Sequence, residues 1–543
     1  MAEGAEGRTR GRPPASPSRA GDSLTLTPRL RCAWLLRVCR LHGQRRWRNQ
    51  TAFAQALSTL RLQGVHPATV SRWERGLSAV PYDAVRGYEL LLERPNGSLT
   101  SVFDTVLRYY APVSRTALPL SRLHPDERTA WQRTEELLRG AAGGETLDGD
   151  AWDELTALTF SAPRFSYGTS DLWQSAAQRL LGEVLITDGV NWMQRFEAFN
   201  RMLAHPVLGA EAVEVLRAVV ADRSVQSLIG TVCMYDGSDR AAAGLQVMRH
   251  LRSPADDRVF KGALMACVRK IHYGHFNGAQ LTALSATLAG VLADPGAGPD
   301  AETRELVVSV LRQIPAPRRH RHAVHVLAEE QQDKALPTLR PGSRGTARLL
   351  SRRLAQEACA RMDTPPDGYH DLILPALIEE ALFHPVFDVR LYAATLIHAS
   401  PYRAPVAATL LKELSATWLR GDELWVTTLL QALRKLGGPT ERSAVEALVV
   451  DPRASTTITD VAAHALGHIG GTSPAAFWAR ALGRHRTAWR QGSRPGHASV
   501  LDRLVYAIGR AGESGILHTV RKDTAMPAAV RVSARWWLRT PRP

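Results

Sequence analysis

The residues whose types and spacing could bind a metal form two groups of histidines. His464 and His468 are four residues apart on a predicted helix, and a second group lies in an arginine-rich stretch at His320, His322 and His325. Histidines four apart on one helix face can bind zinc, but neither group has a nearby cysteine or the glutamate of an H-E-x-x-H arrangement. We therefore predict no metal site and interpret both groups as surface or interface histidines.

Signatures of phosphate binding and of nucleophilic catalysis are missing from the sequence. No lysine follows a glycine, which excludes a Walker phosphate loop, and there is no G-x-S-x-G or G-x-G-x-x-G string. Cys32 and Cys39 are seven residues apart on one predicted helix face, which suits either a redox pair or, more commonly, two buried core thiols. We predict no enzymatic activity and no cofactor.

The charge of the chain favours an anionic partner. The 543 residues carry a formal net charge of +16, and residues 1–100 hold 16 arginines and no lysine against 7 acidic residues. More than half of the net charge therefore lies in less than a fifth of the chain, as in nucleic-acid-binding proteins. The five cysteines form no C-x-x-C, and no apolar stretch is long enough to span a membrane, so we expect a cytoplasmic protein without membrane contact.

One stretch of the sequence has the pattern of two short helices joined by a turn. It consists of Asn49-Gln-Thr-Ala-Phe-Ala-Gln-Ala-Leu57 and Gly64-Val-His-Pro-Ala-Thr-Val-Ser-Arg-Trp-Glu-Arg-Gly76. A helix-turn-helix needs a first helix across the DNA backbone and a second whose inner face is anchored while its outer face enters the major groove. Gly76 suits a left-handed cap after the second helix. The residues spaced for burial are Phe53, Ala54 and Leu57 on the first helix and Val70 and Trp73 on the second.

These strings resemble the lambda-repressor-like (Xre-type) DNA-binding domain, whose pattern is Gln-x-x-Leu-Ala, a Gly-Val turn and Val-Ser-x-Trp-Glu-x-Gly. The resemblance covers residues 28–110. The chain departs from the family between Leu57 and Gly64, where it has about six more residues than the compact family turn. Similar lengthening, followed by Pro-Tyr-Asp-Ala-Val as at 81–85, resembles a subset of actinobacterial regulators.

The resemblance implies a set of DNA contacts. Residues 66–76 would form the recognition helix in the major groove, and Arg72 matches a base-contacting position whose bidentate bond to guanine is worth about 1–3 kcal/mol of discrimination. Pro67 and Ala68 would touch a thymine methyl, Gln50 a backbone phosphate, and the arginines before the motif would add salt-sensitive affinity. The complete set is Arg45, Arg46, Arg48, Asn49, Gln50, Thr51, His66, Pro67, Ala68, Thr69, Ser71, Arg72 and Arg75.

Several of these assignments have simpler alternatives. Arg72 could be a surface cation that touches phosphate or solvent, because most protein–DNA contacts go to the backbone. Residues 45–48 could be a solvated loop with Trp47 packed on the domain. The tail arginines could reach phosphates or an adjacent groove as a flexible arm, or remain surface charge. These arginines are Arg8, Arg10, Arg12 and Arg19.

Helical periodicity divides the chain into four regions. We predict a disordered basic tail at 1–21, a five-helix helix-turn-helix domain at 22–110, a partly helical linker at 111–170 and a helical repeat region at 171–543. The five helices of the DNA-binding domain are predicted at 28–41, 50–59, 67–75, 81–92 and 98–109.

The repeat region contains segments with a small residue flanked by apolar residues one helical turn away. Such spacing lets neighbouring helices approach closely. The segments resemble the second helix of HEAT-type repeats, which implies an α-solenoid. The alternative is an irregular helical bundle. The segments centre on Ala393, Ala432, Ala465 and Ala534.

The sequence therefore predicts an all-α, nucleoid-associated regulator of transcription that binds double-stranded DNA sequence-specifically, as a homodimer. The solenoid would serve dimerisation or hold a protein partner. The alternatives are an adaptor, in which the solenoid binds a partner protein and DNA binding is secondary, and non-specific coating of nucleic acid by the basic arm.

Overall fold

The computed structural model of the chain describes residues 26–60, 64–110, 118–122, 126–161, 169–293, 301–333, 344–362, 370–492 and 496–540. These ranges hold 27 α-helices and no strand, which confirms the all-α prediction. The predicted basic tail, with Arg8, Arg10, Arg12 and Arg19, lies outside the described residues, as do positions 61–63 of the lengthened turn.

The first five helices form one packing unit, called here the five-helix unit. Helix α1 packs against α3, α4 and α5, and α2 packs against α3 and α4. Thr27 begins α1 by accepting a 3.2 Å hydrogen bond from the Leu30 amide, and Pro28 suits the first helical position because its missing N–H would be unpaired there anyway. The helices are α1 (Pro28–Leu41), α2 (Gln50–Thr59), α3 (Pro67–Glu74), α4 (Tyr82–Leu91) and α5 (Thr100–Tyr110).

The other 22 helices are called here the array. Its first part comprises α6 (Glu127–Gly143), α7 (Gly149–Ser161), α8 (Ser170–Ile186), α9 (Gly189–Ala204), α10 (Gly209–Ala221), α11 (Leu228–Cys233), α12 (Ala241–Arg252), α13 (Asp257–His272), α14 (Gly278–Ala293), α15 (Ala301–Gln313) and α16 (Arg321–Asp333). Its second part comprises α17 (Arg344–Ala360), α18 (Leu374–Phe383), α19 (Phe387–Ala399), α20 (Arg403–Arg420), α21 (Glu423–Leu436), α22 (Pro439–Val450), α23 (Thr456–Leu466), α24 (Ala475–Arg490), α25 (Gly496–Ala511), α26 (Ser514–Lys522) and α27 (Ala528–Arg539).

Helices of the array pack in consecutive pairs. Helix α18 packs on α19, α20 on α21, α22 on α23, α24 on α25 and α26 on α27. The second helix of each pair also packs on the second helix of the next, so α19, α21, α23, α25 and α27 form a continuous stack. The four predicted repeat segments lie on α19, α21, α23 and α27. Their small residues are at most 5% exposed, and they are Ala393, Ala432, Ala465 and Ala534.

Paired packing begins before residue 171, where the sequence placed the start of the repeats. Helices α6 and α7, in the predicted linker, pack on each other and on α8 and α9 respectively. Trp152 of α7 joins the two regions, because its ring is fully buried and its Nε1 donates a 2.9 Å hydrogen bond to Glu183 of α8. The predicted linker thus contributes two helices to the array.

Three helices of the five-helix unit, α1, α4 and α5, contact the array, and Tyr82 of α4 donates a 3.3 Å hydrogen bond to Asp153 of α7. Arg31 of α1 forms two hydrogen bonds of 2.6 and 2.7 Å with the Glu380 carboxylate of α18. Arg108 of α5 binds Glu197 of α9 at 2.9 and 3.0 Å. Among the described residues, the side-chain hydrogen bonds of α2 and α3 remain within the unit. The described side-chain hydrogen bonds that join the unit to the array therefore do not involve α2 or α3.

We expect Gly509→Ala in α25 to lower the free energy of unfolding by about 1–3 kcal/mol. A Cβ at this position would overlap the indole of Trp537 in α27, so the stacked helices would have to move apart. The matched control is Gly483→Ala in α24, where a Cβ would meet nothing within 4 Å; it should stabilise by about 0.5–1 kcal/mol. Urea denaturation followed by circular dichroism measures both, and equal effects would contradict the prediction.

Candidate DNA interface

Helix α2 is fixed at its start and along its inner face. The Asn49 side-chain oxygen accepts hydrogen bonds from the amides of Thr51 and Ala52, at 2.9 and 3.1 Å. This cap satisfies two amides that the helix itself leaves unpaired. The residues predicted to be buried on α2 are each 0% exposed, which confirms the prediction; they are Phe53, Ala54 and Leu57.

Helix α3 is anchored in the same way. Val70 is fully buried and Trp73 is 6% exposed, as predicted from their spacing. Gly76 has a φ of +71°, and the Leu77 amide donates a 2.9 Å hydrogen bond to the Arg72 carbonyl. The Gly76 amide bonds to the Trp73 carbonyl at 3.1 Å, which completes a Schellman cap. The helix therefore ends where the sequence predicts.

A buried ion pair, not predicted from the sequence, joins α3 to α1. Arg40 donates two hydrogen bonds of 2.6 and 2.7 Å to the Glu74 carboxylate, and both side chains are about 5% exposed or less. Tyr88 of α4 donates to the same carboxylate at 2.9 Å, and Gln50 of α2 lies 3.4 Å from it. Burial raises the pKa of Tyr88 well above its usual value, and the Glu74 charge adds to the shift, so the phenol remains a donor. Four helices thus meet at Glu74.

The sequence-predicted contact residues divide into exposed and half-buried groups. On α3 the exposed positions are Ala68 and Arg72, and the exposed C-cap residue Arg75 continues their spacing along one face of the helix. Within the described residues, the Arg72 and Arg75 guanidinium groups have no ion pair or hydrogen bond. The whole exposed group is Arg45, Arg46, Asn49, Thr51, His66, Ala68, Arg72 and Arg75. The half-buried group is Arg48, Gln50, Pro67, Thr69 and Ser71.

A short 3₁₀ turn, Arg45–Arg48, precedes α2 and carries three of the predicted contact arginines. Trp47 holds it: the ring is 9% exposed, packs edge-on against Phe53 and donates a 2.8 Å hydrogen bond to the Leu91 carbonyl. The Arg46 guanidinium lies 4.4 Å from the centre of the Trp47 ring. Trp47 packs on the unit, as the solvated-loop interpretation predicted, and Arg45 and Arg46 are exposed; their contact with DNA stays a prediction.

Positive charge exceeds negative charge on this surface. Residues 26–81 contain ten arginines and a single acidic residue, Glu74, and two of the arginines, Arg31 and Arg40, are buried in ion pairs. Because Glu74 is buried and paired with Arg40, no carboxylate from this stretch reaches the surface. An exposed face with this balance attracts polyanions.

The other candidate chemistry of the sequence lies elsewhere. Among the residues with a described placement, no group of three or more histidines, cysteines or carboxylates is arranged to hold a metal ion. Cys32 and Cys39 are buried, and burial raises the pKa of both thiols, so both are protonated core side chains. None of the helices in the described part of the chain is both long and apolar enough to cross a membrane.

Comparison with known proteins adds no assignment to this geometry, because no protein-family model, no curated protein and no solved structure matches the chain.

Proposed function

We propose that the protein is a sequence-specific regulator of transcription that binds double-stranded DNA through α3. In this proposal the five-helix unit is an Xre-type helix-turn-helix domain and the array is a HEAT-like solenoid. The observation that carries the proposal is the exposed face of α3, where Ala68, Arg72 and Arg75 project from a helix whose opposite face is locked by Val70 and Trp73.

The side chains on this face are suited to direct contact with the edges of base pairs. An arginine fork can bind O6 and N7 of guanine together, and Arg72 has no competing partner among the described residues. Arg45 and Arg46, beside the first turn of α2, suit phosphate contacts, which fix the register of a protein on the duplex. The proposal includes homodimerisation on two half-sites, because one helix-turn-helix reads a short sequence, and a location at the nucleoid in the cytoplasm.

We expect Arg72→Ala to relax sequence preference at one base pair of the site and to cost about 1–3 kcal/mol of binding free energy there. The measurement is selection from a random duplex library with the full-length protein, at two salt concentrations. Arg535→Ala is the matched control, since Arg535 is an exposed arginine on α27 and its loss changes the net charge equally.

The wild-type protein and Arg535→Ala should enrich the same two-fold symmetric site. If no site is enriched, and binding falls uniformly with salt for every variant, the protein does not read sequence and the proposal fails. If Arg72→Ala enriches an unchanged site, Arg72 contacts only phosphate or solvent.

A further inference from the structure

A cleft of about 630 Å³ separates the five-helix unit from the array. One wall is formed by His42 and by Arg45 and Arg48 of the 3₁₀ turn. The opposite wall is formed by Arg361, which directly follows α17, and by the first two turns of α20. Arginines therefore face the cleft from two regions that are about 300 residues apart in the chain.

The charged side chains that line the cleft are positive. No aspartate or glutamate is among its described lining residues. Arg45 and Arg361 are exposed, and in the described part of the chain neither side chain forms an ion pair or a hydrogen bond. Arginine is suited to phosphate, because its planar fork can donate two parallel hydrogen bonds to one anionic group.

The array wall adds two further features. Helix α20 begins at Arg403 and runs for 18 residues, so its first turn presents the positive end of a long helix dipole to the cleft. The side chains at and just before the start of α20 on this wall are small and apolar, and they are Pro401, Ala404, Pro405 and Ala408. The wall thus combines a positive potential with apolar contact surface.

The size and position of the cleft restrict what it can hold. Its volume lies within the range of about 300–1,000 Å³ that is typical of sites for organic molecules, so a single inorganic ion would leave it largely empty. The Arg45–Arg48 turn runs directly into Asn49 and Gln50 at the start of α2, so the cleft is continuous with the basic face of the helix-turn-helix pair. The lining of the cleft suits an occupant that alternates anionic and apolar groups. The sugar–phosphate backbone of DNA has this composition, and the proposed function places it against the same basic face.

We propose that the cleft holds the sugar–phosphate backbone of the duplex beside the segment read by α3, with Arg361 as a phosphate contact supplied by the array. This inference rests on the proposed function and extends it, because it gives the array a direct part in binding DNA. Phosphates lie against the arginines and deoxyribose rings lie against the proline and alanine side chains of α20.

The test compares full-length wild-type protein with Arg361→Ala, using fluorescence anisotropy on a labelled duplex at a series of salt concentrations. Loss of one phosphate contact should reduce the steepness of log K against log salt by about 0.9. The matched control is Arg352→Ala, which removes an exposed arginine from α17 outside the cleft. A second duplex, truncated to the segment that α3 reads, should bind Arg361→Ala and wild type equally. Circular dichroism checks that both variants are folded.

The outcomes separate this inference from the proposed function. If wild type selects a DNA site but Arg361→Ala has the wild-type salt dependence on the long duplex, the cleft does not hold DNA and the proposed function stands. If Arg361→Ala weakens binding to the short duplex as much as to the long one, Arg361 acts as a distant charge and the inference is wrong. If the wild-type protein binds no duplex, both fail.

Discussion

Arg40→Met should lower the stability of the five-helix unit by about 3–5 kcal/mol, the largest single-residue effect that we expect on the proposed DNA-binding surface. The substitution leaves the Glu74 carboxylate buried without its cation, and an unpaired charge in the interior is far more costly than a lost surface contact. Arg40 also donates to the carbonyls of Trp47 and Arg48, at 3.0 and 2.8 Å, so the same substitution should loosen the turn that carries Arg45 and Arg46.

Hydrogen–deuterium exchange of the full-length protein measures this effect locally, because it reports the opening free energy of α1 and α3 separately from that of the array. Arg29→Met is the control, since Arg29 is an exposed arginine on the same helix and should change exchange by less than about 0.5 kcal/mol. The double variant Arg40→Met with Glu74→Gln should recover part of the loss, because it removes both charges together. Similar exchange in Arg40→Met and Arg29→Met would show that the pair does not hold the unit.

The sequence predicted the parts of this site that depend on local periodicity. The bounds of α1 to α5 agree with the predicted helices to within two residues, and the buried side of α2 and α3 is the predicted one. Both follow from the spacing of apolar residues within one helix, which does not depend on the rest of the fold. The capping role of Asn49 was not predicted, although its position directly before an apolar helix is the usual signal for a cap.

The parts that the sequence did not predict depend on contacts between distant residues. Arg40 and Glu74 are 34 positions apart, and only their packing in three dimensions joins them. One signal was available, because a lone acid among ten arginines in residues 26–81 is a candidate for a buried pair. Arg361 had no such signal, since its place opposite Arg45 follows from how the five-helix unit docks on the array. The pair α6–α7 was assigned to a linker because helix pairing leaves only a weak pattern in the sequence.

The second large effect is an acid sensitivity of the array, caused by histidines that are kept neutral. Burial lowers the pKa of His468 to about 3, and the nearby charges of Arg434 and Arg510 add to the shift. Burial also lowers the pKa of His398 to about 3 and that of His485 to about 4. His485 is fully buried and its Nε2 lies 3.0 Å from the Val449 carbonyl, so protonation of its ring would place a positive charge in the interior.

The direction of the pH dependence follows from which state binds the proton. An unfolded histidine has a pKa of about 6.5, so below this pH the unfolded chain binds protons that the folded array does not. Stability is therefore fully present above about pH 6.5 and falls as the pH approaches the folded values, by up to about 1.4 kcal/mol per pH unit for each histidine.

We expect the array to lose several kcal/mol of stability between pH 7 and pH 5, with each of these histidines contributing at most about 2 kcal/mol. Urea denaturation of the full-length protein at the two pH values measures the loss. His468→Gln should reduce the difference between the two pH values, because glutamine occupies a similar position and does not titrate. His322→Gln is the control, since His322 is exposed on α16 and should leave the difference unchanged. Equal pH dependence in the two variants would show that His468 does not contribute to the acid sensitivity.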